Sequence, residues 1–379
     1  MGAITDTKAP PPRFAALDLF RGLTVVGMIF VNNPGDWGHI YWPFDHAEWH
    51  GWTPTDLIFP FFLFIVGTAA VFSLEKRMAA GARTTDLARH AFTRGMTIVL
   101  VGWAMAFYPF FPFLERLGRL RIPGVLARIG LVYVLGTWIV LAVWKRRTIG
   151  VAAAVLVLLA LHTFLLTGLG FDLTPAGNIQ RAVDLAVLKG HLWKNQQGWD
   201  PEGLVSTLTS IATMLTGTLT GFLLKSETSV GAKIARLLAW GAAGVAAGLA
   251  WGLVLPINKN LWTASYVVLT SGFACVFLGI CIFLVDVKGL SRPFSIFVTF
   301  GRNPLLVFVL SGLLAKTMGL IKWTGADGKA ITLHRWIYGA GFSWIDDPTI
   351  RSHAFALVTI LFWYVVLLGF EKKGWYWKI

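Results

Sequence analysis

Charge is what this sequence has least of. Asp, Glu, Lys and Arg together make up 14% of its 379 residues, where soluble domains carry about 25%. A chain so poor in charge cannot cover a water-facing surface, so most of it needs another solvent. Cysteine is scarcer still. Cys275 and Cys281 lie in one apolar run on different faces of a helix, which argues against a disulfide framework or a thiolate metal cluster. Alternating segments of about ten residues are absent, which excludes a transmembrane barrel. No HExxH or comparable spacing occurs, so no metal is expected. The opening MGAITDTKAPPPRF lacks the basic region, apolar core and small-residue cleavage site of a signal peptide; Met1 to Pro12 reads as a short Pro-rich tail.

What is present is apolar: 56% of residues are hydrophobic and the mean hydropathy is +0.66. Many windows reach the roughly 18 apolar residues of a spanning helix. The expected fold is therefore an all-α, polytopic membrane helix bundle. Ten spans are expected, at 17–33, 54–74, 91–110, 125–144, 149–168, 203–224, 237–255, 263–284, 294–314 and 352–370. Residues 1–16 form a tail and 17–379 a single transmembrane domain. One side carries roughly 20 Lys and Arg against roughly 13 on the other, which by the positive-inside rule places both termini in the cytoplasm. Segments 34–53, 169–202 and 315–350 then face outward, and the first contains no Lys or Arg. The formal charge is +14, but the basic residues are spread over loops. They suit anionic lipid headgroups and exclude nucleic acid as a partner. Tryptophan occurs 18 times, often near span ends; an interfacial belt is the first reading and sugar stacking the second. No internal repeat and no discontinuous-helix pair of the transporter kind is read.

The stretch FDHAEWHGWTPTDLIFPFF, Phe44 to Phe62, stands between two apolar runs. Thr53 is a natural N-cap, Pro54 suits the first helical position, and Asp56 falls in the first turn. Asp56 thus has two readings: a helix start, or a carboxylate at the outer mouth that orients a histidine or holds an ammonium. His39, His46 and His50 precede it, and imidazole can take a proton from an amine or act as a nucleophile. Asp18 and Arg21 stand at i, i+3 near the start of the first span. Asn32 ends that span, where an amide can cap a helix or polarise a carbonyl. Arg119, Arg121 and Arg128 gather at the fourth span. Asp200 and Glu202 open the sixth, either as acids at a helix N-terminus or as partners for an amine. PINKNLW, Pro256 to Trp262, mixes polar and aromatic groups that suit a polyhydroxylated ligand or a turn. These clusters all fall at outer span ends, which suggests one polar pocket there.

The blocks LDLFRG, FVN, HAEWHGWTPTDLIFPFFLFIVG, RIPGVLARIG, DPEGLVSTLTSI, PINKNLWTASYV, GRNPLLVFV and WKI occur in this order. In these the chain resembles the heparan-α-glucosaminide N-acetyltransferase family and its bacterial relatives, from Asp18 to the C-terminus. The resemblance implies a transmembrane acetyltransferase. It takes the acetyl group from cytoplasmic acetyl-CoA and delivers it to the amine of glucosamine on the outer side. It places the catalytic histidine at His46, its partner at Asn32, and Asp56, Arg121, Glu202 and Asn258 in matching blocks, with Trp262 beside the last as a substrate contact. His50 is the weaker histidine. Arg21, Arg94 and Arg302 are candidates for the CoA phosphates by position. The large lumenal N-terminal domain of the lysosomal member is missing from this sequence. A free amino sugar or short oligosaccharide is therefore the expected acceptor, and the bacterial inner (cytoplasmic) membrane the expected location. The state of assembly stays open between monomer and homodimer. Direct deprotonation of the amine by His46 and an acetyl-imidazole on His46 both stay open. A sugar transporter on the same scaffold and an O-acyltransferase acting on an envelope glycan are the alternatives.

Overall fold

In the computed structural model, which describes residues 14–193, 198–325 and 328–377, long apolar runs become helices because hydrocarbon leaves backbone groups no other partner than each other. In chain order these are α1 (Ala15–Asn32), α2 (Ile58–Ala79), α3 (Thr84–Phe107), α4 (Phe113–Leu117), α5 (Val125–Ala142), α6 (Arg147–Thr167), α7 (Ile179–Leu188), α8 (Leu204–Lys225), α9 (Val230–Gly252), α10 (Ala264–Ile282), α11 (Ser295–Arg302), α12 (Pro304–Leu320), α13 (Leu333–Phe342) and α14 (Pro348–Lys372). A small antiparallel hairpin pairs β1 (Lys322–Thr324) with β2 (Ala330–Thr332), with Trp323 opposite Ile331. Residues 1–13, most of the expected tail, lie outside the described residues, as do the Lys378 and Ile379 of the WKI block.

The all-α, polytopic membrane architecture expected from composition is the one observed. Eight helical segments are long and apolar enough to cross a membrane, and they coincide with eight of the ten expected spans. The other two differ. The expected span 294–314 is two helices, α11 and α12, bent by 85° at their junction. The break falls at Asn303–Pro304, where proline lacks the N–H and disfavours helical geometry in the residue before it. The bent pair is a broken span or a re-entrant loop, which the sequence reading did not expect. The expected span 91–110 is helix α3, which falls outside the eight because its first half carries Arg89, His90 and Arg94. The long outer segments also hold helices. Asn178 caps α7 by accepting the Arg181 N–H at 2.8 Å, and Thr332 caps α13 through the Arg335 N–H at 3.1 Å.

Glycine lets the helices approach closely where no hydrophobic drive pulls them together. A Cβ at Gly67 would stand 1.9 Å from the Met214 carbonyl oxygen, and one at Gly217 would stand 2.0 Å from that of Phe64. With Gly221 against Thr68 and Val71, residue numbers rise together along α2 and α8, so these two helices run parallel. Their N-termini therefore share one end of the bundle. In α3 and α5 the numbers run oppositely, Gly95 against Gly130 and Gly102 against Leu126. That brings the start of α5 to the end of α3. Loop contacts complete the same end: Gly51 N–H donates to the Ile257 carbonyl at 2.7 Å, and Ile122 N–H to that of His191 at 3.0 Å.

Candidate active site

Residues Pro54–Leu57 form a tight 3₁₀ turn that leads into α2, with Pro54 in its first position and Asp56 in its first turn. Asp56 is 1% exposed, and its two oxygens do different work. Oδ2 accepts the backbone N–H groups of Ala47 and Thr53, both at 3.1 Å, and lies 3.3 Å from the Thr53 hydroxyl. This is helix-start chemistry, in which an acidic side chain satisfies donors that have no helical partner. Oδ1 faces the other way, 2.7 Å from His46 Nδ1 and 3.3 Å from Lys259 Nζ. The two readings of Asp56 therefore hold together, one on each oxygen.

The carboxylate settles the His46 tautomer. Asp56 accepts, so Nδ1 carries the proton and Nε2 keeps its lone pair. The His46 side chain is 50% exposed, so that lone pair has access to a ligand. Lys259 Nζ lies 3.0 Å from Nδ1 and 3.2 Å from Nε2. A point almost equally far from both ring nitrogens cannot lie in the ring plane without striking a ring carbon. The ammonium therefore lies out of the ring plane within reach of both ring nitrogens, and its charge offsets that of Asp56.

His50 is held differently. Asn258 Oδ1 accepts the Leu261 N–H at 2.8 Å, which leaves its Nδ2 to donate to His50 Nδ1 at 3.3 Å. Burial lowers the His50 pKa. His46 thus has a carboxylate partner and His50 an amide.

A second polar cluster stands at the same end. Arg121 bonds Asp200 through two nitrogens, at 2.8 and 2.6 Å, and also pairs with Glu202. Burial alone lowers the Arg121 pKa, but the two carboxylates outweigh it and raise it. Burial alone raises Asp200, and Arg121 with the backbone N–H groups of Glu202 and Trp193 brings it below the usual carboxylate range. Gln180 Nε2 donates to the carbonyls of Asp200 at 2.7 Å and Asn260 at 3.0 Å, and Asn260 adjoins Lys259. Trp49 and Trp199 meet edge to face at 4.9 Å. The two clusters are therefore joined through the 256–263 loop.

Asp184 lies behind them, fully buried, accepting the N–H groups of Asp200 and Leu204, each at 3.1 Å. Burial pushes its pKa up to about 6. A raised carboxylate pKa means that the folded state binds the proton more tightly than the unfolded chain. Stability then falls as pH rises from the ordinary carboxylate range to about 6. Between pH 4.5 and 6.5 the wild type is expected to lose on the order of 1 kcal/mol that an Asp184→Asn variant does not lose. Parallel denaturation curves for the two proteins across that range would sink the assignment.

Of the residues singled out in the sequence, His46, Asp56, Arg121, Glu202 and Asn258 stand at this end. Asn32 ends α1 with its side chain exposed and makes no hydrogen bond to His46 among the described residues. Trp262 is 1% exposed, enclosed by Phe59, Tyr266 and the Arg128 guanidinium, with its N–H on Thr213. Its ring offers no open face to a sugar. Arg21 and Arg302 lie together at the opposite end: Arg21 bonds Asp18 at 2.8 Å and the Gly301 carbonyl at 3.1 Å, and Arg302 pairs with Glu371 at 3.1 Å. Arg94 lies apart on α3 over the Tyr133 ring. Lys259, the single cation of PINKNLW, belongs to the polar mix of that loop in the sequence, but nothing local to it pointed to a place beside His46 and Asp56. Among the described residues no three His, Cys, Asp or Glu side chains gather as metal ligands do.

Comparison with known proteins covers the part of the chain that carries His46 and Asp56. The family model of the heparan-alpha-glucosaminide N-acetyltransferase catalytic region matches residues 13–179. The mouse heparan-alpha-glucosaminide N-acetyltransferase is 27% identical over 97% of this chain, and the human protein of that name 29% identical over 79%. The chain covers 60% and 53% of those two relatives' own lengths. By these matches, the first of which runs through the turn that carries His46 and Asp56, the chain is similar to the heparan-α-glucosaminide N-acetyltransferases.

Proposed function

We propose that this protein is a membrane acetyltransferase that moves an acetyl group from acetyl-CoA to the amine of glucosamine or a short glucosamine-terminated saccharide. The observation that carries the reading is the His46–Asp56 pair at 2.7 Å, with Nε2 of a half-exposed imidazole left as a base at a membrane mouth. A sugar ammonium must lose a proton before it can attack. Nε2 takes that proton, and Asp56 holds the ring and steadies the imidazolium that forms. Lys259 keeps the buried carboxylate compensated and brings positive charge to the place where an oxyanion develops. Asn32 offers an amide donor to that oxyanion from the end of α1.

Acetyl-CoA supplies the activated thioester. Its fit is supported by an apolar groove of about 230 Å³ along α1, from Phe20 to Val31, closed above by Pro43, Phe44, Pro54 and Thr55. Eleven helical steps make it roughly 16 Å long. Its lining suits an uncharged arm and not phosphates, and Arg21 and Arg302 stand beyond its lower end. The amine acceptor then meets the thioester on the far side of the bilayer, in the bacterial inner membrane.

Purified protein given acetyl-CoA and glucosamine is expected to release CoA and form N-acetylglucosamine. Glucose, which has no amine, should accept nothing; acetylation of glucose would instead favour O-acyl transfer. A second reading of the same scaffold is a sugar transporter. Sugar uptake into vesicles with no CoA release under any acceptor would replace the first reading with the second.

A further inference from the structure

The segment 321–347, between α12 and α14, supplies no group to the His46 site and carries an exposed aromatic surface. Trp323 is 39% exposed and Trp336 50%, and the two rings meet edge to face at 6.1 Å. What these rings face depends on the depth at which the segment sits.

Contacts with the spans set that depth. Helix α14 is a span of 25 residues, about 37 Å long against a hydrocarbon core of about 30 Å. Shared equally, the excess leaves about 4 Å of helix beyond each hydrocarbon surface. Phe355 stands roughly 10 Å along α14 from Pro348, and so about 6 Å beneath one surface. His334, Tyr338 and Phe342 form one face of α13, at i, i+4 and i+8. All three pack on that one ring, with centroids 5.0, 6.0 and 5.6 Å away. They span roughly 12 Å of helix. Helices running side by side would bring them to different residues of α14, so α13 crosses α14 steeply. A helix that crosses a spanning helix in this way lies near the membrane plane. The hairpin is held close by the chain itself, since only Ile321 separates α12 from Lys322 of β1.

The face of α13 turned away from Phe355 carries Arg335, Trp336 and Gly339, all exposed, and Lys322 beside Trp323 is exposed too. Asp36, whose charge reaches Arg335, is already bonded to His39 at 2.8 Å. Indole with a neighbouring Lys or Arg is the chemistry of a membrane surface. The ring spans an apolar and a wet layer, and the long basic side chain reaches out to phosphates.

We propose that α13 and β1 form an in-plane anchor in the leaflet at the His46 end of the bundle, with Trp323 and Trp336 between headgroups and acyl chains and Lys322 and Arg335 on phospholipid phosphates. Interfacial helices sink about 5–10 Å into this boundary, the depth at which Phe355 holds α13. The segment expected outward at 315–350 is thus in part an interfacial element. The anchor also holds the chain that leads to His46. A Cβ at Gly35 would stand 2.3 Å from the Tyr338 ring, and the Gly35 N–H donates to the Ser352 carbonyl at 3.1 Å. That chain is therefore clamped between α13 and α14, whatever reaction His46 performs.

The test is a depth measurement by electron paramagnetic resonance on the whole chain, in nanodiscs of phosphatidylcholine and phosphatidylglycerol. Gly339→Cys takes the nitroxide, because nothing lies within 4 Å of a Cβ there, and the native Cys275 and Cys281 are buried. Collision with oxygen, which concentrates in lipid, is compared with collision with a water-soluble nickel chelate. A label at Glu227→Cys, exposed between α8 and α9, is the water reference. The label at Gly339 is expected to favour oxygen, and the one at Glu227 nickel. A Gly339 ratio equal to the reference overturns the anchor. Shielding from both reagents also overturns it, and assigns this face to a protein partner. Lys322→Glu with Arg335→Glu should move the Gly339 ratio toward the reference; an unchanged ratio removes the phosphate contact from the proposal. Thermal unfolding matched to wild type shows that each labelled protein keeps its fold, and the Gly339→Cys protein decides the anchor without the charge variants.

Discussion

His46→Ala is expected to slow CoA release with glucosamine by about 10²- to 10⁴-fold, the range a positioned general base contributes. His50→Ala should slow it less than tenfold, because the His50 ring is tied to the Asn258 amide and has no carboxylate behind it. Asp56→Asn is expected to come close to His46→Ala in rate. An amide at that position can present its NH₂ group to Nδ1 and reverse the tautomer, so that Nε2 bears the proton when a lone pair is needed. Asp56→Asn should also lose about 1 kcal/mol of stability, because Oδ2 serves the turn at the start of α2. His46→Ala should not, since the exposed ring supports little else. The contrast between the two variants separates the two oxygens of one carboxylate. A His46→Ala protein that turns over within a few-fold of wild type would remove this histidine from the mechanism. Mass spectrometry after incubation with acetyl-CoA alone bears on the route: an acetyl adduct on His46 indicates covalent transfer.

The second large effect is structural. Arg121→Ala is expected to destabilise the protein by about 3–5 kcal/mol, read from thermal or denaturant unfolding in detergent. The reason is what remains. Asp200 is fully buried and Glu202 nearly so, and each loses its compensating charge when the guanidinium is removed. Breaking a buried pair from one side costs far more than the pair itself contributes. Removing both sides should therefore recover part of the loss, so Arg121→Met combined with Asp200→Leu and Glu202→Gln is expected to be more stable than Arg121→Ala. Arg121→Lys should rescue poorly, because an ammonium cannot reproduce the fork that bonds Asp200 through two nitrogens. An Arg121→Ala protein within 1 kcal/mol of wild type would show that water compensates these carboxylates and that the cluster is not a closed network.

Particular elements show how far the sequence could be read. The run from Ile58 to Leu74 is free of charge over more than four turns, and its start is written in Thr53, Pro54 and Asp56; both the helix and its beginning were legible. The span expected at 294–314 was not, because apolar content is the same on either side of Asn303–Pro304 and only the direction changes. Helix α3 was read as a span from its apolar second half, while His90 and Arg94 in its first half set it apart from the eight. Trp262 read as a sugar platform from its neighbours in PINKNLW. The fold instead turns it inward through a left-handed backbone at φ 52°, where the Thr209 hydroxyl donates to its carbonyl at 2.7 Å and Thr213 accepts its indole N–H at 3.0 Å.

What the sequence by itself determined is the long membrane-spanning helices, eight of them, their solvent and several of their ends. Those depend on runs of about twenty residues and on caps a few residues long, so the information is local. Which ends meet was decided by the tertiary structure alone. The parallel approach of α2 and α8 rests on Gly67 facing Met214 and Gly217 facing Phe64, contacts between residues some 150 positions apart with no periodic signature. That approach carries the His46 turn and the Arg121 cluster to the same mouth. The contact of Lys259 with His46, across 213 positions, follows from it. The chemistry at the mouth is thus a property of distant side chains brought within hydrogen-bond reach, and a distance between them is defined only once the helices have packed.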